Sequence, residues 1–562
     1  MSVSKLPEPW RDRYQHAVAW ERDYPPLSLV ELFTTSAEAW PDRPVTEFLG
    51  RTTSYRRMLD EARHFATSLK LLGIAPGDRV GLFLPNVPAY VPAYYGAMMA
   101  GAAVVNFSPL YTARELEAQV ADSGTRLIVT LDSAALLPKA LEVLAGSALE
   151  RLVVARLADQ LPLVKSLALR LLGRKQLTPI PDAPDVTAWE ALPTGGMPPK
   201  RVIDPLTELA LLQYTGGTTG TPKGAMLTHQ NLSANARQLR DIDPDRGERD
   251  VTLGVLPLFH VFANSCILNR TVLNGGMIAM LPRFEAAQVL ATIRRVRPTA
   301  MFVVPTMLQA LLDDPRMGGT EFSSLREIIS GGAPLALPIK ERFEAVSGAR
   351  VVEGYGLTEA AGVIATNPLR EGDRDGTIGQ PLPATRIRLL DKDDSVRDAA
   401  PGEPGELAVQ GPQVMRGYWN RADVAEAAFA RREDGMWLRT GDIAQFDADG
   451  FLTIVDRSKD MISVGGFKVF PSQVEAVLAQ HPAVKEAAVI GVADTYRGEV
   501  PRAFVTLLHP GLHPATREEL RDWLNDRVGK HERVDSVVVR ESLPKTMIGK
   551  LDRKALKAEL GT

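Results

Sequence analysis

The chain of 562 residues carries 65 Lys and Arg against 68 Asp and Glu, a formal net charge of -3, with 45% hydrophobic and 24% charged residues. That balance is ordinary for globular protein and leaves no basic footprint for a nucleic-acid partner. At roughly 100–200 residues per domain the length implies several domains or subdomains, and the single cysteine, Cys266, excludes an internal disulfide.

The first residues, Met1 to Pro7, lack the apolar core of a secretory signal. With the lone cysteine they point to a reducing cytoplasm. Cys266 lies in an apolar run and reads as core packing rather than as a nucleophile. No charge falls between Arg79 and Arg114, but Pro85, Pro88, Pro92 and Pro109 interrupt that stretch. It therefore reads as a buried strand, Val80 to Leu84, and a buried helix from about Ala89 to Ala102, rather than as a membrane span.

Leu59 to Leu72 has apolar residues at helical spacing, and Arg126 to Thr130 reads as a strand. Such alternation predicts a layered α/β architecture. Residues 151–180 read as an insert whose apolar run, Leu161 to Leu172, is flanked by Lys165, Arg170, Arg174 and Lys175. It is either an ordinary surface helix or a helix resting on an anionic membrane surface. A Pro/Gly-rich linker follows at Pro193 to Pro199.

The densest local signal is Thr215-Gly216-Gly217-Thr218-Thr219-Gly220-Thr221-Pro222-Lys223-Gly224. Its glycines let backbone N–H groups wrap an anion, and its threonines and lysine are donors suited to a polyphosphate. The Walker loop needs Gly-Lys-Ser/Thr after a four-residue spacer; here Pro222 precedes the lysine and Gly224 follows it. A helix is expected to begin near Thr228-His229-Gln230-Asn231.

Further on, Glu353-Gly354-Tyr355-Gly356-Leu357-Thr358-Glu359 sets an aromatic between glycines, with a hydroxyl and a carboxylate behind it. The aromatic can stack on a purine or line an acyl pocket. The carboxylate suits Mg²⁺, a hard cation that prefers oxygen. Taken alone, the segment could equally be a tight turn. From about residue 385 the pattern becomes β-rich, with strands at Ile387 to Leu390 and Gly405 to Val409. In Thr440-Gly441-Asp442 a carboxylate is placed to accept from two ribose hydroxyls. The last hundred residues form an α+β pattern of their own. Capping boxes are expected at Ser472/Glu475 and Thr516/Glu519, and strands at Ala487 to Val492, Ala503 to Leu508 and Ser536 to Val539. A basic segment, Pro544 to Lys550, lies near the end.

In this order and spacing these motifs resemble the adenylate-forming superfamily: acyl-CoA synthetases, luciferases and the adenylation domains of peptide synthetases. The resemblance runs from about residue 28 to 558. Within the superfamily, Trp437 to Ile462 and the insert before residue 200 are similar to the bacterial long-chain fatty acid–CoA ligases. Gly465-Gly466 stands where relatives often have Ser-Gly, and Ser458 where many have a basic residue. The resemblance implies an α/β fold: a large multi-subdomain N-terminal domain with a β-rich subdomain over 1–458, and a small mobile α+β lid over 459–562.

It also implies roles. Thr215, Gly216, Gly217, Thr218, Thr219, Gly220 and Lys223 would hold the ATP phosphates. Gly332, Ala333 and Pro334, with Glu353, Gly354, Tyr355 and Gly356, would frame adenine, and Asp442 and Arg457 would take the ribose. Thr358 would meet the α-phosphate, Glu359 the Mg²⁺, and His260 the acyl entrance. Lys550 would be the catalytic lysine of adenylation and Lys459 the hinge. Gly465, Gly466 and Lys468 would face coenzyme A after lid rotation. The implied reaction joins a fatty acid to coenzyme A at the expense of ATP. Medium-chain or aryl acids, transfer to a carrier protein, and a non-catalytic nucleotide binder are the alternatives. The absence of a carrier domain after Thr562 favours free CoA. A monomer or homodimer in the cytoplasm is expected, with a possible peripheral contact on the inner membrane.

Overall fold

The structure is a computed structural model that describes residues 8–196, 201–215, 222–245, 250–391, 397–457, 460–464, 467–494, 496–508, 515–545 and 551–560, the side chains of Arg457, Phe467 and Lys468 excepted. Four sheets organise these residues.

A seven-stranded sheet holds Val186–Ala188, Arg151–Ala155, Thr125–Leu131, Arg79–Leu82, Ala103–Asn106, Leu209–Thr215 and Lys223–Thr228, in that spatial order. All neighbours are parallel except the last pair. A nine-stranded sheet has parallel inner strands Val352–Tyr355, Glu327–Ser330, Ala300–Val303, Val251–Gly254, Met277–Met280 and Pro44–Phe48, with antiparallel strands at both margins. Parallel strands need crossover helices that cover both faces. The apolar charge-free run therefore supplies an interior helix, Tyr90–Met99, buried from Tyr90 to Met98, rather than a membrane span. His229–Ile242 is buried along all but one of its 14 residues. Among the described residues no helix is long and apolar enough to cross a membrane.

The β-rich region predicted after residue 385 is a five-stranded antiparallel sheet of Arg386–Leu390, Gly405–Gln410, Phe429–Arg432, Gly435–Phe446 and Leu452–Arg457. The next sheet opens at Ile462–Val464 and belongs to the small C-terminal unit, with the long hairpin Val484–Asp494 and Gly498–Leu507 at its centre. That unit has its own apolar core around Val469, Val474, Leu478, Leu520 and Leu524.

Two sequence expectations need correction. Residues 151–155 are not part of an insert: Arg151–Ala155 pairs on both sides within the seven-stranded sheet. A short apolar run does not by itself distinguish strand from helix. Nor do Ser472 and Glu475 form a capping box, because Pro471 already occupies the first turn of Pro471–Leu478 and Phe470 is the cap. The Ser472 hydroxyl instead donates to the Val455 carbonyl (2.7 Å), and its N–H donates to Asp456 (2.9 Å), tying the small unit to the preceding strand. Glu475 receives Arg553 and the Val489 N–H. The Thr516/Glu519 box forms as expected, and Thr228 with Asn231 forms another at the head of the buried helix.

Candidate functional site

A cavity of about 1120 Å³ opens where the C-terminal ends of the parallel strands meet the β-rich sheet. Ligands of open α/β sheets collect at such strand ends. Several of its walls come from motifs read in the sequence.

The strands Leu209–Thr215 and Lys223–Thr228 are antiparallel, with Thr215 opposite Lys223, so the glycine/threonine segment is a hairpin connection held at its base. Gly216 to Thr221 lie outside the described residues; Thr215, Pro222 and Lys223 line the cavity. Lys223 Nζ sits 5.5 Å from the centroid of the Tyr418 ring.

The opposite wall is the turn after Val352–Tyr355. Gly354, Tyr355, Gly356, Leu357, Thr358 and Glu359 all line the space. The backbone reverses through a one-turn 3-10 helix, Thr358–Ala360, and leaves it at Ala361 with φ 55°. A Cβ on Gly356 would overlap the Gly362 carbonyl, so only glycine permits this reversal. The buried Ser265 hydroxyl donates to the Ala361 carbonyl. Asn235 bonds Val363 twice: its Nδ2 donates to the carbonyl (2.7 Å) and its Oδ1 accepts the N–H (3.2 Å).

Ala333, Pro334 and the Glu353 side chain do not share this wall. Gly332 lines the cavity, but the other two residues of its triplet do not. Side chains alternate along a strand, so Glu353 points away from Gly354's side of the turn. It lies instead in a small recess beside Leu335 and Lys340. Burial there pushes its carboxyl up to about 8, against a hydrogen bond from the Leu335 backbone and the attraction of Lys340.

The β-rich sheet contributes Thr440, Gly441 and Asp442. Gly441 has φ 73°, and Thr440 accepts the Asp442 N–H at 3.1 Å, which turns the carboxylate toward the cavity. Tyr355 donates to that carboxylate. Asp442 and Arg457 are cross-strand partners, so the two residues expected at the ribose share one rung of the ladder. Glu406 and Arg439 form an ion pair (2.6 Å) on the same wall.

His260 lines the apolar end with Pro257, Phe259, Val261 and Phe262. Its Nδ1 accepts the Phe262 N–H at 3.4 Å, capping the helical segment that follows. That segment widens into a π-helical stretch, Asn264–Asn269, which includes Ser265. Such stretches are common at functional sites. Cys266, in the same stretch, is fully buried, and burial raises its thiol well above the ordinary range; it is core, as expected.

Lys459, Gly465, Gly466 and Lys550 lie outside the described residues, as do the side chains of Arg457 and Lys468. Leu551 lines the cavity. Lys545 and Leu551 form an isolated antiparallel bridge.

Tyr418, like Glu406 and Arg439, escaped sequence reasoning. Residues 415–419 run along Lys223–Thr228, with Met226 donating to Gly417 (2.9 Å) and Trp419 to Gly224 (2.8 Å). This places Tyr418 between the lysine of one motif and the glutamate of another: its hydroxyl donates to Glu359 at 2.7 Å. Nothing in the local spacing of Gly417-Tyr418-Trp419 signals a partner 59 positions away.

Together, the walls offer cationic and hydroxyl donors at one end, carboxylates on two sides, and an apolar chamber at the other end. That set suits a polyanionic ligand and an apolar one bound side by side. Carboxylate and hydroxyl oxygens at Glu359 and Thr358 are the hard donors that Mg²⁺ takes when it also holds phosphate.

The sequence matches the AMP-binding enzyme family over residues 33–419 and the AMP-binding enzyme C-terminal domain over residues 473–550. It is 37% identical to a long-chain-fatty-acid–CoA ligase of Bacillus subtilis across 98% of both chains. It is 34% identical to a feruloyl-CoA synthase of Amycolatopsis across 91% of this chain and 95% of that one. Among solved structures, ATP-bound MatB from Rhodopseudomonas palustris superposes with a TM-score of 0.81 at 26% identity, covering 95% of this chain and 99% of that chain. A benzoate CoA ligase from Burkholderia xenovorans gives 0.79, also at 26% identity, over 94% and 99%.

Proposed function

The chain belongs to the AMP-binding enzyme family, and from that premise we propose that it activates a fatty acid with ATP and transfers the acyl group to coenzyme A. It is an ATP-dependent, AMP-forming acid–thiol ligase. The observation that carries the reading is the convergence of Lys223, Thr358, Glu359 and Asp442 on one cavity that also has an apolar end beside His260.

The chemistry needs little proton transfer in its first step. A carboxylate oxygen attacks the α-phosphorus of ATP; the bond to the β-phosphate bridging oxygen breaks, and pyrophosphate leaves. The product is a mixed anhydride, the acyl-adenylate. Because the nucleophile is already anionic, catalysis comes from alignment and charge compensation. Thr215 to Gly224 cradle the departing phosphates, Thr358 meets the α-phosphate, and Asp442 with Arg457 holds the ribose. Glu359 and Thr358 would hold Mg²⁺, which when bound offsets phosphate charge. Lys550 bridges the carboxylate and phosphate oxygens as negative charge moves between them. In the second step the thiol of coenzyme A attacks the acyl carbonyl, losing its proton, and AMP departs.

The second step needs a different set of groups at the same carbonyl. A lid of residues 459–562, turning about Lys459 on the body of residues 1–458, exchanges the Lys550 loop for Gly465, Gly466 and Lys468. This is a hinge with two discrete arrangements. The ties from Ser472 to Val455 and Asp456 lie beside that hinge and would have to part or re-form as it turns.

Seven of the similar curated ligases act, by name, on long-chain fatty acids, whereas the feruloyl-CoA synthase takes an aryl acid. A chain-length and aryl-acid series in ATP–pyrophosphate exchange separates the two. Each buried CH₂ contributes about 0.8 kcal/mol, so a fatty-acid site shows kcat/KM rising steeply with chain length. A maximum at benzoate- or cinnamate-like acids supports the aryl reading. Comparing free coenzyme A with an acyl carrier protein then identifies the acceptor.

A further inference from the structure

We propose that the helix Leu163–Leu172 is a membrane-seating element that lies in the plane of an anionic lipid surface with its leucine face in the bilayer. This goes beyond the catalytic reading and does not depend on it. The helix buries none of its ten residues. Leu163, Val164, Leu167, Leu171 and Leu172 are 58 to 89% exposed. At about 100° per residue, Leu163, Val164, Leu167 and Leu171 fall within a single arc of about 100°, with Lys165 and Arg170 beyond its two borders. An ordinary surface helix turns such a stripe inward. Here the half-buried side is Ser166 and Leu169, and the stripe faces out.

The orientation is fixed by contacts to the body. Lys165 Nζ donates to the Leu49 carbonyl (2.8 Å), and Arg170 pairs with Asp159 (2.5 Å). Arg51 in turn donates to the Asp159 carbonyl. The helix is thus pinned against the 44–54 hairpin with its apolar stripe held away. A contiguous apolar patch rimmed by polar residues marks an interaction surface.

Charge chooses the occupant. Residues 156–176 contain Arg156, Lys165, Arg170, Arg174 and Lys175 against Asp159; with Glu190, which pairs with Arg156, that is five positive and two negative, or +3, in a chain whose net charge is -3. A surface both apolar and locally cationic on an otherwise acidic protein complements anionic lipid headgroups. A second copy would bring like charge to like. Ten residues span about 15 Å, half of a hydrocarbon core, so the helix can only lie in the interface.

The test uses the full chain and cosedimentation with vesicles. One set contains equal parts phosphatidylglycerol and phosphatidylcholine, the other phosphatidylcholine alone. The expected result is binding at least about tenfold tighter to the anionic set, weakening as salt rises. Leu167→Ser with Leu171→Ser should reduce it at least about tenfold, and Arg174→Gln with Lys175→Gln about fivefold per charge removed. All four side chains are exposed, so both variants should melt with the parent and keep its activity on a water-soluble acid. A parent protein that binds the anionic vesicles yet activates no acid would count against the catalytic reading alone. Equal affinity for both vesicle sets, or undiminished binding by the leucine variant, would overturn the proposal. So would a parent dimer that the leucine pair dissolves while vesicles bind nothing.

Discussion

The Tyr418 hydroxyl donates to Oε1 of Glu359 at 2.7 Å while Lys223 Nζ lies 5.5 Å from the same ring's centroid. One side chain therefore touches two motifs that are 136 positions apart in the chain, the lysine of the glycine/threonine segment and the Glu359 carboxylate. The Glu359 main chain is held from the same segment, because Met415 donates to its carbonyl at 2.8 Å. The carboxylate is thus oriented before any ligand arrives.

Tyr418→Phe keeps the ring beside Lys223 and removes only the donor. Outer-shell partners of metal ligands are worth roughly 10–100-fold in metal affinity. The expected outcome is a Mg²⁺ half-saturation raised about tenfold in ATP–pyrophosphate exchange, with the thioester step from supplied acyl-adenylate unchanged. A Mg²⁺ titration of the two half-reactions checks it.

Gly356→Ala tests the turn. The new Cβ would meet the Gly362 backbone, which cannot move without displacing Ala361 and the Ser265 contact behind it. Adenylation should fall at least about a hundredfold, by analogy with losing a charge-stabilising group. Asn235→Ala, which strips the paired bonds from Val363, should cost about 1–3 kcal/mol of stability. Denaturant midpoints with parallel exchange assays separate the two effects.

Glu353 gives a pH dependence. Its carboxyl is pushed up to about 8 by burial, against an ordinary value of 4.5. Between these values the folded protein holds a proton that the unfolded chain releases. The folded state binds more protons there, so stability falls as pH rises through that window, by at most about 1.4 kcal/mol per pH unit from this group. Glu353→Gln mimics the protonated form. Relative to the parent it should gain stability progressively from about pH 5 to 8 and match it below about pH 4.5. Urea unfolding of both proteins across this range reads the difference.

Lys459→Pro tests the hinge. Proline fixes φ, and a lid that must turn between two arrangements should lose the second more than the first. Thioester formation should fall well below adenylation in the variant. Equal loss of both half-reactions would contradict a hinge at this position.

The motifs themselves were legible because each is local. The helix start at Thr228 to Asn231, the glycines flanking Tyr355 and the Gly441 turn before Asp442 are consequences of a few adjacent residues. What the sequence hid is everything that joins distant segments. Tyr418 reaches Glu359 across 59 positions, and Trp419 reaches the Asp122 carbonyl across 297. The fully buried Arg270 binds Asp243, Asp250 and Glu327. With Arg326 also on Asp250, three carboxylates share two guanidinium groups; desolvation raises the Glu327 carboxyl to about 8. No spacing rule announces such a cluster. The failed Ser472/Glu475 box shows the same limit from the other side. Both residue types were right for a cap, but Val455, Asp456, Val489 and Arg553 claimed them first.

We propose that Lys550, near the carboxyl end, acts at this cavity in adenylation and then leaves it. Lys550→Ala, assayed separately for ATP–pyrophosphate exchange and for thioester formation from chemically supplied acyl-adenylate, tests it most directly. The account predicts exchange slowed at least about 10²–10³-fold with the thioester step near that of the parent. Undiminished exchange, or equal loss of both steps, would contradict it.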